Sequence, residues 1–118
     1  MPVVTIVDDL IFREKIAAVA AHLNVPVISA KDLDAALPML VSAARPLMLV
    51  DLNLSTADPI EVVRAIRQAV PTASIVGFCS HIQTDLQARA REAGCSMVWP
   101  RSVFVQRLPE ILSEYRSS

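Results

Sequence analysis

Two short, apolar, β-branched runs end in acid: VVTIV before Asp8 and Asp9, and LMLV before Asp51. Both read as buried strands, and a sheet covered on both faces has no room for an unpaired charge, so the carboxylates belong where the strands run out. If the two strands are parallel neighbours, all three acids meet at one edge of one sheet. Three negative charges within a few Å are costly unless one group is protonated or a hard divalent cation binds.

The rest of the chain repeats the same alternation. Strands are predicted over 3–8, 25–29, 47–51, 74–79 and 96–99, with segments of helical period between them. The first helix, IFREKIAAVAAHL, places Ile11, Ala18 and Leu23 on an apolar face and Arg13, Glu14 and Lys15 outside, and Asn24 ends it. The third has the best-marked start: Asp58 as N-cap, Pro59 as first helical residue and Glu61 three positions after the cap. The fourth follows Thr84 and stops at Gly94, and the fifth starts near Ser102 and runs towards Tyr115. Two prolines disturb the pattern. Pro38 implies that the second helix begins near Leu37 or has a distorted first turn, and Pro109 should kink or split the fifth.

Five strands alternating with five helices imply an α/β fold with a five-stranded parallel sheet, right-handed crossovers and helices on both faces. Among small doubly wound sheets, the flavodoxin-like order 2-1-3-4-5 sets the first and third strands side by side, with the functional crevice outside their carboxyl ends. That order explains why acids occupy both of those ends.

At 118 residues, 53% of them hydrophobic, the chain is the size of one domain with a sizeable core. The net charge is -1 and the basic residues are scattered, so direct nucleic-acid binding is not expected. No apolar run approaches a membrane span, and the N-terminus enters a strand directly, which points to a cytoplasmic protein. Cys79 and Cys95 read as small buried fillers, not as a disulfide or zinc framework. A phosphate-binding glycine loop is missing, because the first turn reads VDDLIF, and so is the G-x-S-x-G of a hydrolase elbow, in a chain whose glycines are Gly77 and Gly94.

Taken together, VTIVDD, LMLVDLNLSTADPIEVVRAIR, IVGFCSH and AREAGCSMVWPR resemble, in order and spacing, the receiver domain of bacterial two-component response regulators. The resemblance covers essentially the whole chain, 1–118, and leaves no output domain after Tyr115. It implies that Asp51 accepts a phosphoryl group from a histidine kinase or phosphotransfer protein. It also implies that Asp8, Asp9, Asp51 and the backbone carbonyl of Asn53 bind Mg²⁺. The receiver itself would be no enzyme beyond its own phosphorylation and dephosphorylation.

The second half of the resemblance is altered. The hydroxyl that senses phosphate falls on Cys79, a weak donor, unless a shifted strand end brings Ser80 into place. The basic position falls on Arg101, whose fork is not equivalent to a lysine ammonium, and the proline precedes it as Pro100. The aromatic switch position falls on Val98, with Trp99 as its neighbour, either in that role by a shifted register or as a hydrophobe packing a helix on the sheet. Asn53 and His81 fall where receivers tune hydrolysis, and His22 reads as a surface or boundary residue.

Docking of a downstream protein, or of a second copy as a homodimer, would use the fourth helix, fifth strand and fifth helix. Gln83, Gln87, Arg89, Arg91 and Val103 are candidates there. Two functions follow from these features. One is a Mg²⁺-dependent phosphoryl-accepting switch, and the other is an interaction module that works without phosphorylation.

Overall fold

The computed structural model describes residues 3–80 and 83–115; His81 lies outside the described residues. The elements run β1 (Val3–Ile6), α1 (Leu10–His22), β2 (Val27–Ser29), α2 (Leu33–Ser42), β3 (Leu47–Asp51), α3 (Pro59–Ala69), β4 (Ser74–Cys79), α4 (Thr84–Ala93), β5 (Met97–Pro100) and α5 (Arg101–Ser113). The five strands form one sheet in the order β2-β1-β3-β4-β5, and every pairing is parallel. Register sets Ile6 opposite Val50, Asp51 opposite Phe78 and Cys79 opposite Pro100. The acid-bearing strands are thus neighbours.

Alternation along the strands sends side chains into two cores. Val4, Ile6, Met48, Val50, Ile75, Cys79 and Val98 pack with α2, α3 and α4. Val3, Leu47, Leu49, Val76 and Phe78 pack with α1 and α5, where Trp99 joins them from the edge. Phe12, Phe78 and Phe104 meet in the second core, with Phe78 stacked on Phe104 at a centroid distance of 4.5 Å and tilted against Phe12 at 4.9 Å. Such ring pairs add to what burial alone contributes.

Several boundaries differ from those the sequence predicts. β1 stops at Ile6 because Asp9 leaves the ladder to cap α1, its side chain accepting from the Phe12 N–H. That cap sets the phase of α1, so Phe12, Ile16 and Ala20 face the core while Ile11 and Ala18 are exposed. Of the three positions expected on the apolar face, Leu23 packs against the core and Ile11 and Ala18 do not. Asn24, at φ 59°, ends this helix as expected, and His22 is exposed.

Pro38 does not delay α2. Asp32 caps the helix by accepting from the Ala35 N–H at 2.9 Å, so the first turn is complete before the proline. Fully buried Ala36 and Leu40 then anchor the helix across the lost hydrogen bond. α5 likewise runs unbroken through Pro109, anchored by Phe104, Leu108 and Leu112, all fully buried. The Asp58 cap and Pro59 start of α3 are as read, though Glu61 pairs with Arg64 one turn on. Gly94 closes α4 at φ 133°, a conformation that L side chains rarely adopt. No described helix is long and apolar enough to cross a membrane.

Candidate functional site: an acid pocket bridged by arginine

Asp51 is the last residue of β3 and points to the α1/α5 side of the sheet, the side of Leu49 before it and of Phe78 beside it. It is only 2% exposed. Its Oδ1 accepts from the Asn53 N–H at 2.8 Å and its Oδ2 from Arg101 Nη2 at 3.1 Å. Asp9 accepts from the Phe12 N–H at 3.1 Å on Oδ1 and from Arg101 Nη1 at 3.1 Å on Oδ2. One guanidinium therefore forks between two carboxylates. Arg101 reaches Asp51 because α5 begins at this residue, directly beyond Pro100 at the end of β5.

Asp8 turns elsewhere. Its Oδ2 accepts from the Ser55 N–H at 2.8 Å and the Ser55 hydroxyl at 3.1 Å, and its Oδ1 accepts from the Thr56 hydroxyl at 3.1 Å. The loop after β3 thus closes over the end of β1. Ser55 belongs to no motif of the sequence, and its partner is an acid 47 positions away.

The charges follow these contacts. The Ser55 N–H, with the hydroxyls of Ser55 and Thr56, holds the Asp8 carboxyl below its ordinary value against an opposing burial penalty. The Phe12 N–H, and after it Arg101, do the same for Asp9. Asp51 goes the other way: burial raises it despite the opposing pull of the Asn53 N–H and Arg101. An ion pair at 3.1 Å would by itself lower an acid. Here desolvation wins, because Asp51 is almost wholly out of water and Arg101 divides its charge with Asp9.

The guanidinium is also packed. Its central carbon lies 4.6 Å from the Phe12 ring centroid and 5.9 Å from that of Phe78. Phe12 was unmarked in the sequence reading; the only signal was an aromatic three residues after the acid doublet.

Three carboxylates are the right chemistry for a hard divalent cation, but their arrangement does not fit one. Each of the six oxygens already accepts a hydrogen bond from the chain, and the cation between Asp9 and Asp51 is Arg101. No group of three or more His, Cys, Asp or Glu side chains among the described residues is placed to hold a metal ion.

Of the phosphate-sensing positions, Arg101 pairs with Asp51, whereas Cys79 does not face it. Cys79 follows Phe78, so strand alternation turns its thiol to the other core. There it is fully buried, Sγ lying 3.9 Å from the Trp99 carbonyl oxygen and 3.8 Å from Gln87 Nε2. Ser80 lies beyond the strand end and is exposed, its N–H donating to Asn53 Oδ1 at 2.6 Å. Asn53 Nδ2 donates to Gln83 Oε1 at 3.0 Å, so Asn53 ties the loop after β3 to β4 and the start of α4. Val98 is buried on the side of Cys79.

Trp99 packs on the opposite face with α5, so it stands as a hydrophobe joining helix to sheet and not at the switch position. Of the docking candidates, Arg89 and Arg91 are exposed and Gln87 is buried against Cys79. Cys95 is also buried, which pushes its thiol up to about 12 and leaves it inert at neutral pH.

No family model and no curated protein matches the chain. Solved structures match throughout its length. The beryllofluoride-activated NtrC4 receiver domain dimer superposes with a TM-score of 0.77 at 16% identity, covering 97% of this chain and 98% of that one. A response regulator from Thermotoga maritima does so with a TM-score of 0.77 at 22% identity, covering 100% and 99%. A response regulator from Burkholderia pseudomallei, described with a phosphorylated aspartic acid, a calcium ion and citrate, gives 0.72 at 18% identity, covering 96% and 71%. The sheet order, the ten alternating elements and these superpositions together give this chain the receiver-domain fold of the response regulators.

Proposed function

We propose that the chain is a receiver-fold interaction module that docks a protein partner without phosphorylation of Asp51. The observation carrying this reading is the engaged and buried state of Asp51. Both its oxygens hold donors from Asn53 and Arg101, and its exposure is 2%. A phosphodonor would have to reach a carboxylate that is 2% exposed and has Arg101 on its Oδ2. The altered readout supports the same view, since the Cys79 thiol faces the other core and Val98 has no ring to reorient. Docking would use the face of α4, β5 and α5, where Arg89 and Arg91 offer charge to an acidic partner.

The second reading is a phosphorelay acceptor: Asp51 takes a phosphoryl group from a histidine kinase or phosphotransfer protein with Mg²⁺ at the acid cluster. The convergence of Asp8, Asp9 and Asp51 at the ends of β1 and β3 favours it. Intact mass after incubation with acetyl phosphate and Mg²⁺, alongside Asp51→Asn, separates the two. No adduct is expected. A single phosphoryl adduct that disappears in the variant would overturn the first reading in favour of the second.

A further inference from the structure

We infer that Arg101 is the resident counter-ion of the acid pocket, holding Asp9 and Asp51 as a divalent cation would and excluding such an ion from them. This deepens the phosphorylation-independent reading, on which it rests, by naming what keeps the pocket closed.

The fork is the first support. Two nitrogens of one planar group bind two carboxylates at 3.1 Å each, and both carboxylates come from the set a metal would need. The seat is the second. The guanidinium lies over Phe12, whose ring leans on Phe78, which in turn stacks on fully buried Phe104, so its position is fixed by core packing. A lysine ammonium has no planar face to lay on that ring and no fork to span the two acids.

Arg101 Nε is the third support. This buried donor has no hydrogen-bond partner among the described residues, a cost accepted where the outer nitrogens and the ring contact fix the group. The fourth is Asp8, whose three hydrogen bonds to Ser55 and Thr56 keep it from completing a metal site with the other two acids. A second cation beside Asp51, which is 2% exposed, would be repelled by Arg101 with little screening.

The test is thermal melting of the full chain in EDTA and in roughly 10 mM Mg²⁺, a concentration at which a millimolar site is mostly filled. The wild type should move by less than about 1 °C, whereas Arg101→Met, which keeps the stem over Phe12 and removes the charge, should melt lower in EDTA and gain about 4 °C or more with Mg²⁺. A wild-type gain matching the variant's overturns the inference, and so does a variant that ignores Mg²⁺.

If Arg101→Met does not fold, the neutral variant Arg101→Gln takes its place with the same two expectations. Calorimetric titration of the wild type with Mg²⁺ is a further check, and a saturable millimolar isotherm overturns the inference by itself. Metal binding without a phosphoryl adduct breaks this inference alone. An adduct on Asp51 formed equally in EDTA breaks only the functional reading.

Discussion

At the ends of β1 and β3 the six carboxylate oxygens of Asp8, Asp9 and Asp51 all have donors, while β4 ends in a buried thiol, Cys79, and β5 carries a buried aliphatic, Val98. One half of the sheet edge is polar and satisfied from within; the other is continuous with the core. Arg101, the first residue of α5, belongs to the second half and serves the first. Among the described residues, Arg101 is the side chain that crosses this edge to pair with Asp9 and Asp51.

The largest effect is expected where the two halves share packing. Phe78→Ala removes a fully buried ring that touches Phe12 and Phe104 and lies under the guanidinium. It should cost about 4 kcal/mol in chemical denaturation. A loss below about 1 kcal/mol would mean that the aromatic seat is not a packed unit.

Next comes Arg101→Ala, which strips the counter-ion from a buried acid and should cost about 3 kcal/mol near neutral pH. Asp9 shares the fork but is more exposed, so most of that loss belongs to Asp51. A change near zero would show that water reaches Asp51 as readily as Arg101 does.

Asp51→Asn should act in the opposite direction. Burial raises the folded-state pKa of Asp51, so its ionised form is penalised and its contribution to stability falls as pH rises from the unfolded towards the folded value. The amide removes that penalty and keeps an oxygen for the Asn53 N–H. The variant should melt higher than the wild type at neutral pH, with the gain vanishing near about pH 3, where the acid is protonated in both states. A variant that melts lower at neutral pH would show that the Arg101 pair outweighs desolvation.

The smallest effect is Ser55→Ala, which removes one exposed hydroxyl from Asp8 and leaves the backbone donor in place. About 0.5 kcal/mol is expected. Asp8 is held below its ordinary value, so the stability it contributes is present above that value and is lost as pH falls through the lowered one. The difference between Ser55→Ala and wild type should therefore shrink in acid, and a difference independent of pH would break the assignment of Asp8 as the partner.

Much of this was legible beforehand because the signals are local or periodic. β3 and β4 run over the expected residues, and the Asp58 cap followed by Pro59 opens α3 as its local chemistry demands. The inward face of α1 was misread at Ile11 and Ala18, since its phase depends on Asp9 serving as a cap and on where Phe12 meets Phe78. Pro38 and Pro109 looked like breaks, but burial of Leu40 and of Leu108 outweighs a single missing hydrogen bond. The three acids were visible as a set, while the engagement of Asp8 by Ser55 and Thr56 was not, because a contact across 47 positions has no period.

By itself the sequence determined that this chain folds as a parallel sheet with three acids gathered at its carboxyl edge, because strand period, helix caps and the terminal position of each aspartate are local properties. Only the tertiary structure decided what those acids face. Whether Arg101 or an ion from solvent would neutralise Asp9 and Asp51 depended on where α5 begins relative to β3, 50 residues apart in sequence between Asp51 and Arg101, and on an aromatic seat assembled from three separate elements. Charge pairing is set by distance in space, and distance in space is what a one-dimensional pattern does not contain.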